Sequence, residues 1–145
     1  MTGFLGKAPL TSDIGLFLEI VVTVALLVAR FALARKGKTM AHGFVMTSAV
    51  VLHCISVLVI MIPSLGAALS FLFTNLSPVT IITWIHVPFG LSVLISGLFL
   101  VIGWRFRTPN DSCRRRVSLM KPLWLLWVFS LALGYLLYLS IALYS

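Results

Sequence analysis

The sequence predicts an all-α integral membrane protein, a four-helix bundle, and three observations carry that reading. The first is composition: 61% of residues are hydrophobic and only 10% are charged, with a mean hydropathy of +1.14. Water-soluble domains hold about 45–50% apolar and about 25% charged residues, so this chain does not suit water. The second is the arrangement of the apolar residues in four long runs. A run needs about 20 such residues to cross a hydrocarbon core of about 30 Å. The third is the charge: eleven Lys and Arg against three Asp and Glu give +8, gathered mostly on two short turns. A soluble enzyme, a secreted disulfide scaffold and a free nucleic-acid-binding domain are all excluded by these numbers.

The four spans are expected at about residues 14–34, 42–62, 79–103 and 119–143, within a single transmembrane domain, 1–145. None alternates apolar with polar residues, and each is far longer than a barrel strand, so helices are expected. The first run resembles a signal peptide, with Ala32-Leu33-Ala34 in the place of a cleavage site. Its flanks argue against one: Asp13 and Glu19 sit at its start and Arg30, Arg35, Lys36 and Lys38 follow, whereas a signal carries its positive charge first. The second and third runs have histidines as their only strongly polar side chains.

Positive charge orients the bundle. Arg35, Lys36 and Lys38 follow span 1; Arg105, Arg107, Arg114, Arg115 and Arg116 follow span 3, with Lys121 just beyond. Residues 63–78 carry no charge. The positive-inside rule then places both basic turns in the cytoplasm and both termini outside, in a multi-pass protein of the cell membrane. Trp104, Trp124 and Trp127 toward one face, with Tyr135, Tyr138 and Tyr144 toward the other, fit interfacial belts. The expected partners are the bilayer itself and anionic lipid at the cytoplasmic turns, which accounts for the basic excess without nucleic acid. Other membrane-complex subunits or further copies of the chain are also candidate partners. The uncharged, apolar segment 64–77 reads either as a short interfacial helix lidding the bundle or as a greasy turn without a role. Cys54 and Cys113 fall at different depths and are not expected to pair.

Function is expected at the ionisable residues at bilayer depth, which are costly there: Glu19, His42, His53 and His86. Counted from the presumed outer helix ends at 1.5 Å per residue, Glu19 lies about 8 Å down, His86 about 10 Å and His53 about 15 Å. His42, Met46 and His53 form one stripe on span 2, and His86, Gly90 and Gly97 share a face of span 3. Three readings of His53 and His86 stay open. They are axial ligands of haem b, with Gly90 and Gly97 giving the macrocycle room. They bind copper or another metal, with His42 and the thioether of Met46 or Met61 as further ligands. Or they are structural, hydrogen-bonded to Glu19 or a neighbouring hydroxyl, with the glycines serving helix packing. Glu19 either pairs as an anion with a histidine or stays protonated, and both states suit proton or quinone chemistry. No hydrolytic triad, phosphate loop or zinc-protease signature is present, and the absence of C-x-x-C-H excludes covalent haem attachment.

Some of these residues also form a pattern. Lys36-Gly37-Lys38-Thr39-Met40-Ala41-His42-Gly43-Phe44-Val45-Met46 opens span 2, Trp84-Ile85-His86-Val87-Pro88-Phe89-Gly90 lies in span 3, and span 4 carries Trp124, Trp127, Gly134 and Tyr135. Over about residues 10–142 this resembles a family of small four-span prokaryotic membrane proteins of unassigned function. That family includes factors implicated in assembling cytochrome c oxidases. The resemblance implies that His42, Met46 and His86 match the family's positions, and it implies a link to a respiratory chain. The assembly members carry another histidine near the outer end of span 2. This chain reads Ile60-Met61-Ile62-Pro63-Ser64 there and places His53 at mid-span instead. The expected function is therefore a b-type haem protein of respiratory electron transfer, or else a non-redox assembly factor or accessory subunit.

Overall fold

The computed structural model describes residues 9–34, 36–104 and 109–144, with backbone alone for 109–117 and 144. Expectations resting on Arg35, Arg105, Arg107, Cys113, Arg114, Arg115, Arg116 and Tyr144 lie outside its described side chains. The described residues form five helical stretches and no strand. Helix α1 spans Leu10–Leu27 and runs into a wider π turn over Val28–Leu33. Helix α2 spans Thr39–Ser56, passes through a second π turn at Val57–Met61, and continues without a break into α3, Ile62–Thr74. Helices α4, Pro78–Trp104, and α5, Pro109–Tyr144, complete the chain. Four of these stretches are long and apolar enough to cross a membrane: Leu10–Leu33, Thr39–Thr74, Pro78–Trp104 and Ser118–Leu143.

The order of packing is a ring: α1 on α2, α2 on α4, α4 on α5, and α5 back on α1. The turns between spans are a few residues long, which makes successive spans antiparallel. Buried positions on α1 fall at Gly15, Glu19, Val22, Leu26 and Ala29, the alternating four- and three-residue spacing that keeps one helical stripe inward. On α4, Thr80, Thr83, Val93 and Gly97 are buried, and His86 and Gly90 stand between them on the same stripe. A tight layer of Val22, Leu26, Ala49, Val93 and Trp127 closes the middle of the bundle. The large apolar side chains elsewhere face outward, as at Phe17, Leu58, Val59 and Phe99, all more than 60% exposed. A surface of that kind belongs against hydrocarbon.

One expectation about length changes. Span 2 was expected to end near Ile62, but the helix runs on to Thr74 for a total of 36 residues. At 1.5 Å per residue that is about 54 Å, well beyond the hydrocarbon core of about 30 Å. Pro63 lies inside this continuous helix, where its missing N–H forfeits a backbone bond, directly after the π turn at Val57–Met61; Asn75 ends the run in extended backbone. The segment expected as either an interfacial helix or a greasy turn is thus α3, a continuation of α2, with Leu72 buried and Phe73 set against Trp84.

Candidate functional site

The intramembrane polar residues fall into two cavities on either side of the central layer. The first, about 410 Å³, lies toward the end of the bundle that carries α3. Glu19, His53, Thr83, His86, Ser130 and Tyr138 line it from four helices, and Leu65, Ala68 and Phe71 of α3 wall it from above. Leu58, Ile62, Leu91 and Tyr135 belong both to its lining and to the exposed surface, so it opens sideways onto the lipid-facing side.

At its floor Glu19 and His53 meet. The His53 Nδ1–H donates to Glu19 Oε1 at 2.9 Å and Oε2 at 3.1 Å, both residues buried. With the proton held on Nδ1, the other nitrogen, Nε2, carries a lone pair, and it is buried with no hydrogen-bond partner. The indole of Trp127 braces the ring, with centroids 4.7 Å apart. His86 takes a different seat. Its ring lies beside the Ser130 backbone and against Gly134, where an added Cβ would come within 3.1 Å of His86 Cε1. Its Nδ1 is also buried without a partner. At the rim, Tyr138 O–H donates to Asp13 Oδ1 at 2.7 Å.

The helix register separates the two histidines. Gly97 of α4 meets Val50 of α2, an added Cβ lying 3.3 Å from Val50 Cγ2. From that level His53 is three residues on, about 4.5 Å, and His86 eleven residues on, about 16 Å. Helix α5 gives a similar figure: the seven residues between Trp127 at His53 and Gly134 at His86 amount to about 10 Å. Side chains lean toward their own helix N-terminus, so His53 leans away from the α3 end and His86 toward it. Both histidines nevertheless line the same cavity, from facing helices. Gly90 and Gly97 meanwhile sit against Ser130 and Val50, at helix contacts.

The second cavity, about 490 Å³, lies toward the basic end. His42 and Met46 line it, together with Arg30, Trp104, Lys121 and Trp124. His42 Nδ1–H donates to the Ala29 carbonyl at 2.9 Å, an oxygen that also accepts the wide-turn bond from Ala34 N–H at 3.0 Å. The stripe of His42, Met46 and His53 is therefore divided between two chambers. Among the described residues no three His, Cys, Asp or Glu side chains gather into a metal-binding group. Residues that the sequence reading passed over are Ser130 and the Asp13–Tyr138 pair; Thr83 was among the hydroxyls expected beside the histidines. A 3–4 spacing of small and polar residues along Trp127, Ser130, Gly134 and Tyr138 was the signal available for α5. Comparison with known proteins finds no matching family model, no matching curated protein and no matching solved structure.

Proposed function

We propose that the protein is a membrane-embedded quinone- or quinol-binding component linked to a respiratory chain, with the Glu19–His53 pair exchanging the headgroup's proton. The single observation that carries this is the buried, unpartnered Nε2 of a carboxylate-backed imidazole opening into an apolar chamber. A quinol hydroxyl is a donor of the right kind for that lone pair. When its proton moves to Nε2, the imidazolium formed lies against the Glu19 carboxylate, so the charge created in low dielectric is paired at once. In the reverse direction the protonated Nε2 returns its proton to the anionic quinol oxygen, so the exchange itself leaves the oxidation state unchanged. A cavity of about 410 Å³ suits a headgroup, and the lateral opening lets an isoprenoid tail remain among lipid chains. The respiratory link rests on the family resemblance.

Carboxylate-backed histidine is also how proteins orient metal-ligating imidazole, so a haem or copper site shares this observation. Purification in detergent separates the readings. Expected are an extractable quinone, no haem absorption bands, and quenching of tryptophan fluorescence on titration with a short-tailed quinone. His53→Ala should weaken that binding by roughly 10- to 100-fold, as expected for one hydrogen bond in a charged pair, and His42→Ala should leave it unchanged. A haem spectrum abolished by His53→Ala would overturn the proposal, as would quinone binding indifferent to that substitution.

A further inference from the structure

The cavity at the basic end has no role in quinone chemistry, and its composition points to a ligand of its own. Three of its polar side chains, Arg30, His42 and Lys121, are basic, and no acidic side chain lines it among the described residues. Arg30 is half-buried, not extended to the surface. Its guanidinium Cζ lies over the Trp124 ring, 4.5 Å from the centroid, and 5.6 Å from the Phe31 centroid. A ring contact of this kind uses none of the five guanidinium N–H groups as a donor to an anion. The described residues supply no carboxylate to receive them. Asp13 and Glu19 are the described acids, and the nearer, Glu19, is eleven residues back along α1, about 16 Å. A half-buried cation to which the described residues offer no carboxylate favours an anion from elsewhere.

The remainder of the wall is hydrocarbon-like. Leu26, Val50, Leu100 and Val101 run from the basic end up to Trp127, with Gly97 leaving low relief between α2 and α4. The chamber therefore has a cationic mouth and an apolar depth, and a bare phosphate would satisfy only the first. Basic pockets between membrane helices are well suited to lipid headgroups. We propose that this cavity binds an anionic membrane lipid, with its phosphate on Arg30 and Lys121 and an acyl chain along the α2–α4 wall. This differs from the diffuse attraction of the basic turns, because it depends on two cations at the mouth and on the depth behind them.

Tryptophans 104, 124 and 127 line the cavity and report on its occupant. The test reconstitutes the full chain in phosphatidylcholine vesicles containing a minor fraction of either brominated phosphatidylglycerol or brominated phosphatidylcholine. Stronger quenching by the brominated phosphatidylglycerol is expected. Arg30→Gln should lower that preference roughly fivefold, as should Lys121→Gln, which changes an exposed residue and keeps the test usable if the first variant fails to fold. Lys36→Gln with Lys38→Gln should leave the preference in place. Loss of the preference in the turn variant, with retention in Arg30→Gln and Lys121→Gln, would overturn the site in favour of surface attraction. Complete relief of quenching by millimolar inorganic phosphate would also overturn it, because the anion alone would then be the ligand.

Discussion

The two chambers are built from the same four helices and the same kinds of side chain, yet they handle buried charge in opposite ways. Near α3, polar groups satisfy one another across helices: Glu19 with His53 and Asp13 with Tyr138. At the basic end they lean on backbone and ring faces, His42 on the Ala29 carbonyl and Arg30 on Trp124. The first arrangement sets carboxylates against neutral donors and leaves lone pairs open, which suits a neutral headgroup that gives or takes a proton. The second is left with net positive charge, which suits an anion. What a membrane histidine does here depends less on its depth than on the partner that fixes its tautomer.

Four substitutions probe that contrast. The largest effect is expected for Glu19→Ala, which leaves the His53 Nδ1–H buried and unpaired and should cost about 1.5–3 kcal/mol. Thermal unfolding in detergent measures it, and Glu19→Gln, whose amide oxygen still accepts, should recover much of the loss. A Glu19→Ala variant as stable as the parent would show that the chamber near α3 does not rely on pairing. Next is Gly43→Ala at the basic end, where the new Cβ would clash with the Trp104 indole. The indole must swing away, at about 1–3 kcal/mol. Its emission should shift, and an unchanged spectrum would mean that this chamber is looser than drawn. Tyr138→Phe removes one hydrogen bond and should cost about 1 kcal/mol. A larger loss would make the rim pair as important as the floor pair. Gly97→Ala, tight at 3.3 Å against one flexible valine, should change stability by less than about 1 kcal/mol, and a large loss would show the α2–α4 contact to be rigid.

Much of this architecture is legible in sequence because a bilayer imposes simple rules. Apolar run length marks the four spans, and the cost of charge in hydrocarbon marks Glu19, His53 and His86. The relative height of those residues is not legible, for a definite reason. An outer end at Ile62 fits the Pro63 that follows, a residue that ordinarily ends a helix, yet the helix passes through the π turn at Val57–Met61 and goes on to Thr74. Register between helices is set instead by contacts such as Gly97 on Val50, and one sequence does not state who touches whom. The pairing of Glu19 with His53, 34 residues apart, is of the same kind. A long basic side chain near the end of a span, such as Arg30, tends to reach for the surface. That tendency loses to Trp124, whose ring face is available only because α5 packs back on α1.

The central layer carries a consequence for leakage. Between the chambers stand Val22, Leu26, Ala49, Val93 and one indole, close-packed, with Val22, Ala49 and Val93 at most 1% exposed. A proton hopping along water or side chains needs a continuous polar path, and this septum provides none. Whatever passes at Glu19 and His53 is therefore confined to one side of the bundle. The protein is insulated along its own axis, so proton exchange near α3 would not short-circuit a membrane potential held across it.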